Sequence, residues 1–190
     1  RNMVWVLSSW QIVAERYPLL GETVTVGTQP YEFRSFMGFR NFVMEDEAGN
    51  RIAYANSLFS LIDIETAHPM RPTEEILEKY VLGEKIPMDY APRKIAIPDG
   101  AVKGEEILIL PHHLDVNHHV NNGQYVRIAM DCVPKGLKIR QLRVEYKKQV
   151  RLHEVLAPYV SRTETGAYVV VLKNREDEIC CVVELECREV

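Results

Sequence analysis

The chain has 190 residues, 46% of them hydrophobic and 26% charged, with a formal net charge of −4. That is the composition of a soluble globular protein, and its acidic balance argues against a broad nucleic-acid surface while leaving local basic patches open. No apolar run approaches the ~20 residues of a membrane-spanning helix, and the four cysteines, at 132, 180, 181 and 187, form no C-x-x-C pair, which argues against a zinc knuckle or a disulfide scaffold.

The sequence opens on "RNMVWVLSSW", with no initiator Met, signal peptide or transit-peptide composition. It enters at once on a strand-like run, and further residues are expected upstream. "MVWVLSSWQIVAERYP" reads as a strand with Trp10, Ile12 and Ala14 on one face by period two. "ETVTVGTQPYEFR" alternates in the same way. "FRNFVMEDEAGNRIAYANSLFSLID" reads as two strands joined by a turn around Glu47–Arg51. From His68 to Gly104 five of the ten prolines gather in a connector, in which Thr73 before Glu74 and Glu75 marks a short helix start.

The last part starts with a strand, "EEILILP", followed by "PHHLDVNHHVNNGQYV" and a helix capped by Asn121 or Asn122. Tyr125, Ile128, Ala129 and Cys132 fall on one side of that helix, and Val126, Met130 and Val133 on another. An all-round apolar helix of this kind is expected to be wrapped by a sheet. Pro134 and Gly136 end it, and "LKIRQLRVEYKKQV", "EVLAPYVSRTE", "AYVVVLKNR" and "EICCVVELECREV" follow as strands. A weak internal repeat lays Trp10 and Ile12 over Leu142 and Val144, and Ile52 over Ile179. The organisation read from this is residues 1–67 as a first unit, 68–104 as the connector and 105–190 as a second unit.

The chemistry gathers in Pro111–Val126. A metal site would use His112, His113, Asp115, His118 and His119, but their spacing sets no two imidazoles on one helical face. A polar strand-to-helix loop accounts for each residue singly, with Asp115 and Asn117 in turn hydrogen bonds and Asn121 as cap. A catalytic site accounts for their convergence. The helix N-terminus offers unpaired N–H groups to a developing oxyanion, a histidine takes a proton from water, and a carboxylate fixes its tautomer. No G-x-S-x-G elbow supplies a serine nucleophile, and Cys132 lies too far down the helix to serve.

"LDVNHHVNNGQYV" resembles the D-x-N-x-H-V-N-N signature of the acyl-acyl carrier protein (acyl-ACP) thioesterases, the plant plastid enzymes and their bacterial relatives. "WVLSSWQIVAERYPLLGETV" resembles their early segment with R-Y-P and G-[DE]-x-V, and "LRVEYKKQVRLHEVL" their "LEYRRECxxDSVL" segment. The resemblance implies an α+β double hot-dog fold, two tandem units each with an antiparallel sheet around a helix. The second unit would be catalytic, and the first would set acyl-chain specificity through Met, Phe and Trp side chains of residues 3–44. It further implies that the first unit here lacks the family's opening strand and helix.

The family's catalytic Asp, Asn and His fall on Asp115, Asn117 and His119, with Asn121 and Asn122 on the substrate side and His118 at a variable position. Gln149 and Val150 stand where the plant segment has Glu-Cys. Valine excludes a cysteine acyl-enzyme there, and glutamine can hold a water but not act as base. The implied activity is hydrolysis of acyl-ACP in fatty acid biosynthesis by direct attack of water. Either His119 is the base, oriented by Asp115, or Asp115 is the base. No cofactor or metal is implied, and the implied setting is the bacterial cytoplasm with a homodimer as an allowed assembly. Seven cations lie within Lys135–Arg151, and Arg140, Arg143, Lys147, Lys148 and Arg151 among them are the candidate docking surface for an acidic carrier protein. The competing readings are a coenzyme A thioesterase on the same fold and a non-catalytic acyl-binding module.

Overall fold

A computed structural model describes residues 3–188. The chain divides into two units, residues 1–91 and 92–190. The segment 68–104 is thereby shared out, its first part packing with unit 1 and its last with unit 2.

Unit 1 holds four long strands, β1 (Met3–Ala14), β2 (Val24–Arg34), β3 (Met37–Asp46) and β4 (Arg51–Asp63). They form an antiparallel sheet in the order β2-β3-β4-β1. The expected turn at 47–50 joins β3 to β4, and the Asp46 carboxylate accepts the backbone N–H of Ala48 and of Asn50 there. Helix α1 (Glu74–Leu77) follows Thr73 as a single turn, and among the described residues unit 1 has no other helix.

Two buried amides fasten residues 86–91 to one face of this sheet. Gln11 donates to the Asp89 carbonyl at 2.7 Å and accepts from Ala91 N–H at 2.9 Å. Asn41 accepts from Ile86 N–H and the Tyr90 hydroxyl and donates to the Ala55 carbonyl. Buried amides of this kind stay in place because every polar group has a partner. On the other face, Trp10, Ile12 and Ala14 share a side as their spacing predicts, but all three are only half-buried.

Unit 2 opens with two short strands, β5 (Val102–Lys103) and β6 (Ile107–Leu108), and a single 3-10 turn, Pro111–His113. Helix α2 (Asn122–Asp131) precedes β7 (Ile139–Tyr146), β8 (Val155–Arg162), β9 (Tyr168–Lys173) and β10 (Ile179–Cys187). The sheet order is β7-β10-β9-β8-β5, with β6 also paired to β8. The strand expected over 105–111 shrinks to two residues, because Leu110 and Pro111 already turn the chain into the 3-10 turn.

Both faces of this sheet are covered. Ile95 packs on Val169, Val171 and Val182, while α2 lies on the opposite side, where the Tyr125 and Tyr146 rings meet edge-on at 5.9 Å. The helix is not apolar all round. Tyr125, Ile128 and Ala129 face the sheet, and Met130 is 45% exposed beside exposed Arg127 and Asp131. Sheet cover on one side is enough for a helix with a single buried stripe.

The four main strands of the two units have the same order, β2-β3-β4-β1 against β8-β9-β10-β7, so the internal repeat is visible as topology. Its register needs one adjustment. Ile12 faces Ala55, and Val144 faces Val183. The ladders therefore superpose Ile52 on Cys180 and not on Ile179, a one-residue offset next to the irregularity between Ile179 and Cys181.

Candidate active site

The loop between the 3-10 turn and α2 folds around one carboxylate. Asp115 Oδ1 accepts the backbone N–H of Asn117 at 2.8 Å and of His119 at 3.3 Å, and Oδ2 lies 3.5 Å from the Asn117 amide nitrogen. The Asp115 N–H donates to the His119 carbonyl at 2.8 Å, and His118 N–H returns to the Asp115 carbonyl. The loop closes this tightly because His118 adopts a left-handed conformation, φ 61°, which histidine tolerates better than branched residues do. Burial raises the Asp115 pKa, but the N–H groups of Asn117 and His119 outweigh it and hold the carboxyl below its ordinary value. Asp115 is therefore an anion that organises the loop backbone.

A bridge carries this loop to the segment after β7. His119 pairs with Arg151, and Val120 N–H donates to the Val150 carbonyl at 2.9 Å. Val120 and Val150 point into the core, at 4% and 0% exposure. The bridge puts Arg151 on the same side as His119, and Gln149 and Arg151, on either side of buried Val150, are both exposed. Val150 is wholly buried and serves packing.

The helix start completes the arrangement. Asn121 Oδ1 caps α2 by accepting Gly123 N–H at 2.8 Å, and the Asn121 carbonyl takes Gln124 N–H. The Asn122 N–H has no partner among the described residues, so the first turn presents one open donor at its positive end. Two tyrosines frame this turn. The Tyr146 hydroxyl donates to the Asn122 carbonyl at 3.0 Å, and the Tyr125 hydroxyl to the Lys148 carbonyl at 3.4 Å. Burial pushes both phenols above their ordinary pKa, so they remain donors. Neither stands among the site residues expected from the sequence, where Tyr125 counts only toward the apolar side of the helix. Their one signal was a tyrosine at the inward end of "LRVEYKK" and another in the first turn of the helix.

The structure thus brings Asp115, Asn117, His119, Gln149, Asn121 and Asn122 to one end of α2. It does not join the Asp115 carboxylate to the His119 ring, whose nitrogens have no hydrogen-bond partner among the described residues. The Gln149 amide is likewise unengaged. Among the described residues no three His, Cys, Asp or Glu side chains converge as metal ligands. Burial, first, and the neighbouring Asp131 raise the Cys132 pKa, which keeps it a thiol and not a nucleophile.

The basic run is largely neutralised. Arg140 pairs with Glu186 at 3.0 Å, Arg143 with Glu184 at 2.9 Å, Lys147 with Glu145 at 2.9 Å, and Lys148 with Glu178. Arg143 also donates to the Pro92 and Lys94 carbonyls, so it holds the segment that carries Ile95. Arg151 alone of the five docking candidates has no ion pair among the described residues.

In unit 1, a pocket of about 210 Å³ is lined by Trp5, Phe33, Phe39, Phe59, Tyr80 and Arg40. Rings meet there in tilted and edge-on pairs, Trp5 with Phe33 at 5.7 Å and Phe33 with Tyr80 at 5.1 Å.

Comparison with known proteins gives a consistent result. Residues 1–80 match the model of the acyl-ACP thioesterase N-terminal domain, and residues 105–187 that of its C-terminal domain. The chain is 25% identical over 167 residues to a chloroplastic palmitoyl-acyl carrier protein thioesterase of Arabidopsis thaliana. It is 27% identical over 167 residues to a chloroplastic acyl-[acyl-carrier-protein] hydrolase of Cuphea viscosissima. Each alignment covers 82% of this chain and 40% of the relative, so the chain spans about 40% of the length of these curated relatives.

Two solved structures have the same fold. An acyl-ACP thioesterase from Bacteroides thetaiotaomicron superposes with a TM-score of 0.87 at 23% identity, over 98% of this chain and 77% of that one. A 12:0-ACP thioesterase from Umbellularia californica gives 0.85 at 21% identity, over 99% and 76%. The fold is therefore the double hot-dog of these structures.

Proposed function

The chain belongs to the acyl-ACP thioesterase family, and on that premise we propose that it hydrolyses acyl-ACP, releasing a free fatty acid for fatty acid biosynthesis. One observation carries the reading to this chain. The Asp115–His119 loop is bridged to Arg151, two residues after Gln149, beside the open N–H of Asn122. In this reading His119 supplies a base, Gln149 a water-holding amide and Asn122 an oxyanion donor near one helix end.

In the proposed step His119 takes a proton from water as the oxygen attacks the thioester carbonyl carbon. Asn122 N–H receives the charge that develops on the carbonyl oxygen, and Asn117 and Gln149 position water and carbonyl, with Asn121 holding the helix start. The tetrahedral intermediate then expels the thiol. The C–S bond breaks, the sulfur takes the proton from His119, and the acid leaves. Asp115 acts here through the loop backbone and as a fixed negative charge near the imidazolium, which favours His119 over Asp115 as the base.

The aromatic pocket of unit 1 is the place we propose for chain selection, and a cytoplasmic bacterial homodimer is the proposed setting. A second reading, a coenzyme A thioesterase, gains from the ion pairs that occupy Arg140, Arg143, Lys147 and Lys148. Measuring kcat/KM on one acyl chain carried by ACP and by coenzyme A separates the two, with ACP expected to be preferred. His119→Ala is expected to fold normally and lose at least ~100-fold in kcat, the usual scale for an acid–base group. Near-normal turnover in that variant would defeat the proposed mechanism.

A further inference from the structure

The loop that carries Asp115, Asn117 and His119 is closed at both ends by one residue that the proposed chemistry does not use. The Leu110 N–H donates to Nδ1 of His113 at 3.0 Å, and the His113 N–H donates back to the Leu110 carbonyl. The His113 carbonyl accepts the N–H of Asn121 at 2.9 Å, the cap of α2. His113 thus ties the chain entering the loop to the helix that leaves it. Nδ1 accepts a hydrogen bond only while it is unprotonated, so the Leu110 contact selects the neutral ring with its proton on Nε2.

We propose that His113 is a positioning residue whose neutral imidazole latches the Asp115–His119 loop, and whose protonation opens that latch and lowers turnover. The effect on turnover rests on the thioesterase reading, whereas the latch itself does not. The surroundings favour the neutral form. Burial comes first, followed by the His112 ring, 4.1 Å away on the same turn, and by Arg127 on α2, and together they hold the His113 pKa below its ordinary value. A base depressed in the folded state contributes stability that is fully present above the unfolded value of about 6.5. That contribution is lost as pH falls through the lower folded value. Acid therefore breaks the Leu110 bond and adds a positive charge beside the loop.

Two variants and one spectroscopic measurement test this. His113→Asn sets an oxygen where Nδ1 stands, stays neutral and does not titrate, whereas His113→Ala removes the acceptor. His113→Ala is expected to lose roughly 10-fold in kcat near neutral pH with little change in KM, and His113→Asn to recover most of that loss. The acid limb of the His113→Asn rate profile is expected to lie at lower pH than that of the wild type. Nitrogen NMR of the wild type is expected to show His113 unprotonated at Nδ1 near neutral pH, with Leu110 amide exchange accelerating as that site protonates. Superimposable acid limbs in wild type and His113→Asn would overturn the effect on turnover. A proton on Nδ1 at neutral pH would overturn the latch. If wild-type protein hydrolyses no acyl-ACP, the thioesterase reading fails, and the NMR measurement still decides the latch.

Discussion

The two units share a strand order but bury it differently. In unit 2, Val155–Pro158 of β8, Val169–Leu172 of β9 and Cys180–Val183 of β10 are buried without interruption. In unit 1, β2 has no buried residue, and β3 buries only Gly38 and Asn41. Unit 2 is covered on one face by Ile95 and on the other by α2, while unit 1 is fastened on one face by the Gln11 and Asn41 amides. Ladder order and register thus follow from hairpins and hydrogen bonding alone, whereas burial, and with it the site, depends on what lies against the sheet. The candidate site lies in unit 2, where a loop and α2 lead into β7.

The comparison can be broken by substitution. Leu172→Ala, at a fully buried position of unit 2, is expected to cost about 2–5 kcal/mol in chemical denaturation. Val26→Ala in unit 1, where the side chain is 62% exposed, should stay within about 0.5 kcal/mol. Equal losses would show that burial does not distinguish the units. Gln11→Ala removes a buried amide from the Asp89 carbonyl and the Ala91 N–H, and a loss of about 1–3 kcal/mol is expected. If that loss is absent, the amides do not fasten residues 86–91. Asn121→Ala should cost about 1 kcal/mol through the lost cap of α2, and a larger fall in kcat than in stability would sharpen the case for the helix start as part of the site.

The smallest effect is electrostatic and belongs to unit 1. Arg16, first, and the Leu19 N–H hold the Glu22 pKa down to about 2. A carboxyl depressed in this way stabilises the fold above its unfolded value and loses that contribution as pH falls toward about 2. The Tm difference between wild type and Glu22→Gln should therefore narrow as the solution is acidified below about 4.5. A constant difference across that range would remove Glu22 from the account.

Much of this was legible from the residues. Ala48-Gly49-Asn50 announces the β3–β4 turn through its backbone freedom, and Asn121 announces α2 because its side chain caps the next amides. The double ladder showed through in the overlay of Trp10 and Ile12 on Leu142 and Val144, with the second hairpin displaced by one residue. That offset was not legible, since register is settled between strands and not along one. Met130 read as core because spacing reports periodicity and not which side the sheet covers.

At the site, the motif picked His119 from four neighbouring histidines. The polar-loop reading already had Asp115 in turn hydrogen bonds and Asn121 as cap, but not the reach of Asp115 to His119 N–H or the grip of His113 on Leu110. Those choices depend on a left-handed residue at His118 and on the bridge to Arg151, both products of the folded loop. The ion pairs of the basic run were not legible either: its cations found carboxylates on β7, on β10 and on the β9–β10 turn.

The most direct test of the central claim is to offer the protein a mixed pool of acyl-ACPs and identify the released acids by mass spectrometry, with His119→Ala alongside. The account predicts free fatty acids of a restricted range of chain lengths from the wild type, and release at least ~100-fold slower from the variant. Acyl-ACPs left intact by a folded wild-type protein, or equal release by both proteins, would contradict it.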